Sequence, residues 1–120
     1  MAAIMDELEA TFQRGFDLRC EGRYAEAKIE LQRVLAQDSS HIKARHQLGL
    51  IQGFEGDFDG SLATLAHLSQ NAPRNVEVLY DLAMTQMMLG MYDEACGNFR
   101  KILTIDPGND RATKQLAFCP

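Results

Sequence analysis

Proline is scarce, with three in 120 residues, and alternating runs rich in valine and threonine are few. Both shortages argue against an all-β fold. No run of 18 or more apolar residues occurs, so no segment is expected to span a bilayer. Lysine and arginine are nowhere gathered into a strong cluster, and the net charge is −5. Nucleic acid and anionic membrane are therefore poor candidates as partners, because phosphate and headgroup binding need basic residues on one surface. The N-terminus, MAAIMDELEA, lacks a positive leader and a long apolar core. It is not expected to act as a signal peptide, which favours a cytoplasmic location. Cysteine is sparse: Cys20, Cys96 and Cys119 are far apart, with no C-x-x-C. The expectation is free thiols in a reducing compartment, with no metal or redox role.

The signatures of catalysis are also missing. His41 and His46 stand five residues apart on one helix and so do not share a face. His67 falls on a different helix. No zinc-protease, nucleophile-elbow, phosphate-loop or calcium-loop pattern is present. No enzyme activity, metal or cofactor is expected.

What is present is a repeat. Gly22, Gly56 and Gly90 are separated by steps of 34 residues, and other columns keep the register. An aromatic follows two residues after each glycine, at Tyr24, Phe58 and Tyr92. Small residues recur at Ala27, Ser61 and Ala95, and upstream at Gly15, Gly49 and Ala83. Bulky apolar residues recur at Leu31, Leu65 and Phe99, and again at Val34, Leu68 and Ile102. The small residues suit close approach of two paired helices, the aromatics suit plugging of the turn end, and the glycines suit a reversal with positive φ. One helical pair buries only part of its apolar surface, and stacking the next pair covers the remainder.

These columns resemble the tetratricopeptide repeat family, most closely in the third copy, with LYDLA, LGMYDEA, FRKIL and DP. The resemblance implies an all-α, right-handed solenoid occupying 1–120 as a single domain, with repeats 8–41, 42–75 and 76–109 and a capping helix at 110–118. The first helix is expected near Asp6 to Glu21, after a frayed stretch at 1–5. The polar Asp38-Ser39-Ser40 reads as the cap that ends the first unit. Arg14 and Ser39 depart from the pattern, standing where the other copies have Leu48 and Leu82, and Pro73 and Pro107.

In each unit the first helix carries one stripe for its partner, such as Leu48 and Gln52 or Leu82 and Gln86, and a second that looks elsewhere. The second stripe holds Phe12, Phe16 and Arg19, then Lys43, His46, Leu50 and Gly53, then Glu77, Tyr80, Met84 and Met87. Met88 is assigned to packing. In the family this stripe lines the concave groove that receives peptides. The resemblance therefore implies a non-catalytic adaptor or chaperone-like holder, binding the apolar side chains of a protein or peptide along one continuous strip. Two alternatives stand beside it: a scaffold that assembles as a homo-oligomer, and the repeat portion of a larger protein that positions a catalytic domain. The family's clamp for the acidic C-termini of heat-shock chaperones uses Lys, Asn and Arg. The matching positions here are Phe12, Phe16, Gln47, Glu77 and Asp81, a set that does not suit a terminal carboxylate.

Overall fold

The computed structural model describes residues 2–120, with side chains for residues 7–120. Among the described residues there are seven helices and no strand: α1 (Ala2–Cys20), α2 (Tyr24–Gln37), α3 (Ile42–Phe54), α4 (Phe58–Asn71), α5 (Val76–Met88), α6 (Tyr92–Ile105) and α7 (Asp110–Leu116). Each helix packs against the next in the chain, and the resulting array measures 49 × 31 × 23 Å. It is an all-α helical-repeat solenoid. Residue 1 of the stretch expected to fray lies outside the described residues. From Ala2 the backbone is already helical, so α1 starts before Asp6, in a segment of good helix formers.

The turn inside each pair is built the same way three times. Gly22, Gly56 and Gly90 have φ of +79°, +92° and +78°, a region open to glycine at little cost. The next N–H, of Arg23, Asp57 or Met91, reaches back to the carbonyl of Leu18, Gln52 or Gln86 at 2.8–2.9 Å. These closures satisfy carbonyls that the helix end would otherwise orphan. The turn between pairs has its own column. The Ala44, Val78 and Ala112 N–H groups donate to side chains of His41, Asn75 and Asn109, again 34 residues apart. The cap that opens the second unit is therefore His41. Asp38-Ser39-Ser40 ends the first unit as expected: Asp38 is the C-cap of α2, and its carboxylate accepts from the Ser40 N–H and hydroxyl.

The core runs along the array. Leu31, Val34, Leu65, Leu68, Phe99 and Ile102 are fully or almost fully buried, each apolar side chain contributing roughly 1.5–3 kcal/mol. The small columns hold the helices close. A Cβ placed on Gly15 would lie 2.9 Å from Leu31 Cδ2, and one on Gly49 would lie 3.0 Å from Thr64 Cγ2. Ser61 is small enough to be buried, and its hydroxyl donates to the Gly49 carbonyl at 2.8 Å.

At the C-terminal end α7 lies against α6, burying Ala112 and packing Leu116 on the core of the third unit. The helix stops at Leu116 rather than Phe118, and Phe118 is exposed. The fold-back brings the Cα atoms of Cys96 and Cys119 to 6.0 Å, and their sulfurs are bonded. The expectation of three free thiols is corrected, because a separation of 23 residues closes once α7 returns onto α6. Only Cys20 remains a free thiol, and the inference of a reducing compartment loses its support. No helix among the described residues is long and apolar enough to cross a membrane.

Candidate functional site

The inner stripe does not form the single apolar strip expected from the sequence. Polar braces cross it at both seams between units. At the first seam, Arg19 Nε donates to Gln47 Oε1 at 2.8 Å. Its guanidinium also stands over two rings, 5.1 Å from the Phe16 centroid and 5.8 Å from that of Phe54. At the second seam, His46 Nε2 donates to the Asp81 carboxylate at 2.7 Å. His46 is only 9% exposed and so serves the seam more than the surface. A continuous strip fails for a physical reason: the inner faces of neighbouring first helices need fixing to one another, and buried polar partners do that directionally.

The remaining stripe residues fall into two patches. Phe12 and Lys43 line an open, largely polar hollow with Glu9, Gln13 and His41, the Phe12 ring lying 5.3 Å from the His41 ring. Phe16 sits beside this patch, its ring 6.3 Å from that of Phe12. The second patch is apolar. Leu50, Tyr80 and Met84 meet Phe54, Phe58 and Met88 around a pocket of about 300 Å³ between α3, α4 and α5. Its polar lining is small and partly engaged within the protein. The Ser61 hydroxyl donates to Gly49, the Thr85 hydroxyl donates to the Asp81 carbonyl, and the Asp81 carboxylate accepts from His46. What the pocket offers a visitor is therefore mainly carbon and sulfur.

Tyr80 joins this pocket to the core and to α7. Its ring meets Phe99 edge-on at 5.8 Å, and Arg111 lies 3.8 Å over its face. Arg111 also pairs with Glu77 at 3.3 Å, so Glu77 is tied to the capping helix and lies outside the pocket. Met87 packs against the third-unit core and does not line the pocket.

Three large apolar lining residues fall outside the stripe expected from the sequence. Phe54 and Met88 are 54% and 65% exposed, and Phe58 is partly exposed. Tyr92, 59% exposed, does not plug its turn as the aromatic column suggested, and Met88 is not a packing residue. The spacing carries the signal. From Leu50 the stripe continues to both Gly53 and Phe54, whereas from Met84 it continues by four residues, to Met88, and not by three, to Met87. Phe54 is propped from behind by Tyr24, stacked at 5.7 Å and 15°. Among the described residues no group of three His, Cys, Asp or Glu is placed to hold a metal ion.

Comparison with known proteins bears on this architecture. Residues 76–109 match the family model described as tetratricopeptide repeat. No curated protein matches the sequence significantly. Among solved structures the chain is similar to YrrB, described as a TPR protein with an unusual peptide-binding site (TM-score 0.79, 21% identity, 92% of this chain and 57% of that one). It is similar to MamA from Desulfovibrio magneticus RS-1 (TM-score 0.77, 21% identity, 92% and 63%). It is also similar to the first TPR of Spaghetti (RPAP3) bound to an HSP90 peptide (TM-score 0.82, 14% identity, 93% and 89%). The chain thus spans less than two thirds of the first two proteins, and at these identities the likeness concerns the fold. Residues 76–109 thus match a tetratricopeptide repeat, and the array as a whole shares the helical-repeat fold of these proteins.

Proposed function

We propose that the chain is a non-catalytic protein-interaction module that takes apolar side chains of a partner peptide into the pocket between α3, α4 and α5. The observation that carries this reading is the pairing of an apolar pocket with more than half-exposed Phe54 and Met88 at its mouth. Exposed apolar surface of this kind marks interaction sites, and thioethers adapt to differently shaped partners. The Ser61 and Thr85 hydroxyls already donate within the protein and one Asp81 oxygen is held by His46, which leaves few polar groups to orient a polar metabolite. Leu50, Tyr80 and Met84 form the floor. Phe16 and Arg19 extend the surface toward the first unit, and Phe12, Lys43, His46, Glu77 and Met87 act as supports or flanks. A few apolar side chains at about 1.5–3 kcal/mol each, less the ordering of the peptide, correspond to roughly micromolar affinity.

The related fold bound to an HSP90 peptide supports peptide binding as a use of this architecture. It does not carry over the ligand, because acidic Glu77 and Asp81 occupy clamp positions here. The test is a labelled peptide bearing leucine, methionine or phenylalanine anchors, measured by anisotropy against wild type and a Phe54→Ser/Met88→Ser variant. Both residues are more than half exposed, so the variant is expected to stay folded, melting somewhat below wild type through loss of the Phe54–Tyr24 stack, while its affinity falls about tenfold or more. Equal binding by wild type and folded variant would remove the pocket from the function.

A further inference from the structure

The charge around the pocket identifies what kind of peptide it takes, an inference that rests on the reading above. The three turns within the helical pairs are equivalent by register, and each begins a second helix whose N-terminus favours acids to the same degree. They therefore serve as controls for one another. The first turn is mixed: Glu21 and Glu26 are paired with Arg23, and Lys28 is also present. The second turn, which forms the pocket mouth, carries Glu55, Asp57 and Asp59 and no base. The third leads from Met88 into Asp93 and Glu94, again with no base.

From Phe54 to Asn98 the only lysine or arginine is Arg74. It lies in the loop after α4, at the other end of that helix and about 20 Å from the mouth. Two cations approach from the first unit and a third, Arg111, from α7, where it covers the Tyr80 ring while paired with Glu77. Lys28 pairs with Glu55 at 3.0 Å, and Arg19 covers Phe54 while bound to Gln47. Asp57 spends one oxygen on the Gly60 N–H as the α4 cap. Asp59, Asp93 and Glu94 are exposed and, among the described residues, make no ion pair. Helix dipoles account for acids at these places in all three turns. They do not account for the loss of bases where the pocket opens.

We infer that the partner segment is basic: an apolar anchor seated among Leu50, Tyr80, Met84 and Met88, flanked by lysines or arginines that face Asp59, Asp93 and Glu94. Charge complementarity of this kind speeds encounter and fixes register, while the apolar anchor holds the complex.

Four synthetic peptides test this. Three share one apolar anchor core and are flanked by lysine, serine or glutamate, and the fourth has lysine flanks with serine in place of the anchors. Anisotropy titrations run at roughly 50 and 300 mM salt, where screening separates charge from burial. The expected result is binding of the lysine-flanked anchored peptide about tenfold tighter than the glutamate-flanked one, a gap that narrows with salt. An Asp59→Lys/Glu94→Lys variant, changed only at exposed positions, is expected to abolish or invert that preference. Equal affinity for lysine and glutamate flanks overturns the inference and leaves the pocket reading standing. Failure of every anchored peptide overturns both. Equal binding of the anchorless lysine peptide shows charge attraction without the pocket and overturns the inference. A wild-type dimer in sedimentation that Met88→Glu abolishes makes the occupant a second copy and also overturns it.

Discussion

The His46 imidazole and the Asp81 carboxylate meet at 2.7 Å across the seam between the second and third units, with the imidazole almost wholly buried. Together with Arg19 and Gln47 at the first seam, this pair fixes the pitch at which one unit sits on the next. Replacing His46 by alanine is expected to lower unfolding free energy by about 1–3 kcal/mol, since a cavity forms and Asp81 loses its partner. Asp81→Asn keeps an acceptor oxygen and is expected to cost less. Denaturant titrations decide it, and a His46→Ala midpoint equal to wild type would mean that the seam does not depend on the pair.

Reduction acts at the other end of the array. The Cys96–Cys119 bond closes a loop of 23 residues' separation and holds α7 on the third-unit core. Cys119→Ser, or added reductant, is expected to lower stability by about 3 kcal/mol. Amide exchange should rise first in 110–119. Identical melting with and without reductant would contradict the brace.

Two glycines offer opposed outcomes from one substitution. Gly97 lies within α6, and a methyl group there would meet nothing within 4 Å, so Gly97→Ala is expected to stabilise by up to ~1 kcal/mol. A methyl on Gly49 would lie 3.0 Å from Thr64 and 3.3 Å from Leu65, so Gly49→Ala is expected to destabilise by about 1–3 kcal/mol through overpacking. Thermal melts of the two variants should bracket the wild type.

An acidic C-terminal peptide ending in Glu-Glu-Val-Asp is expected to show no measurable heat of binding. The positions that would grip its carboxylates carry Phe12, Phe16, Gln47, Glu77 and Asp81. Gln47 and Asp81 are already bonded to Arg19 and His46, and Glu77 is paired with Arg111. Salt-sensitive micromolar binding in calorimetry would show that other cations, such as Arg19 or Lys43, can be recruited.

The scaffold is legible in the sequence because its demands recur. Glycine at positive φ, small residues at the closest helix approach and bulky residues in the core each return after 34 positions, so chance is excluded by register. The cap column at His41, Asn75 and Asn109 obeys the same step but is harder to see, since histidine is an uncommon cap and Asp38-Ser39-Ser40 beside it has the commoner composition. The site is less legible. Whether a stripe continues through Met87 or Met88 depends on a side chain's direction at a helix end, and periodicity of 3.6 leaves both open. The role of His46 depends on Asp81, 35 residues away. The disulfide depends on how far α7 folds back.

Asn109 caps α7 in the step that sets Asn75 before α5 and His41 before α3. By position, then, α7 is a truncated first helix of a fourth unit. Anyone lengthening this array by design should splice new sequence after Leu116, continuing the helix already begun. Cys119 would have to go, because its tether to Cys96 turns the chain away from the path that a longer helix would follow.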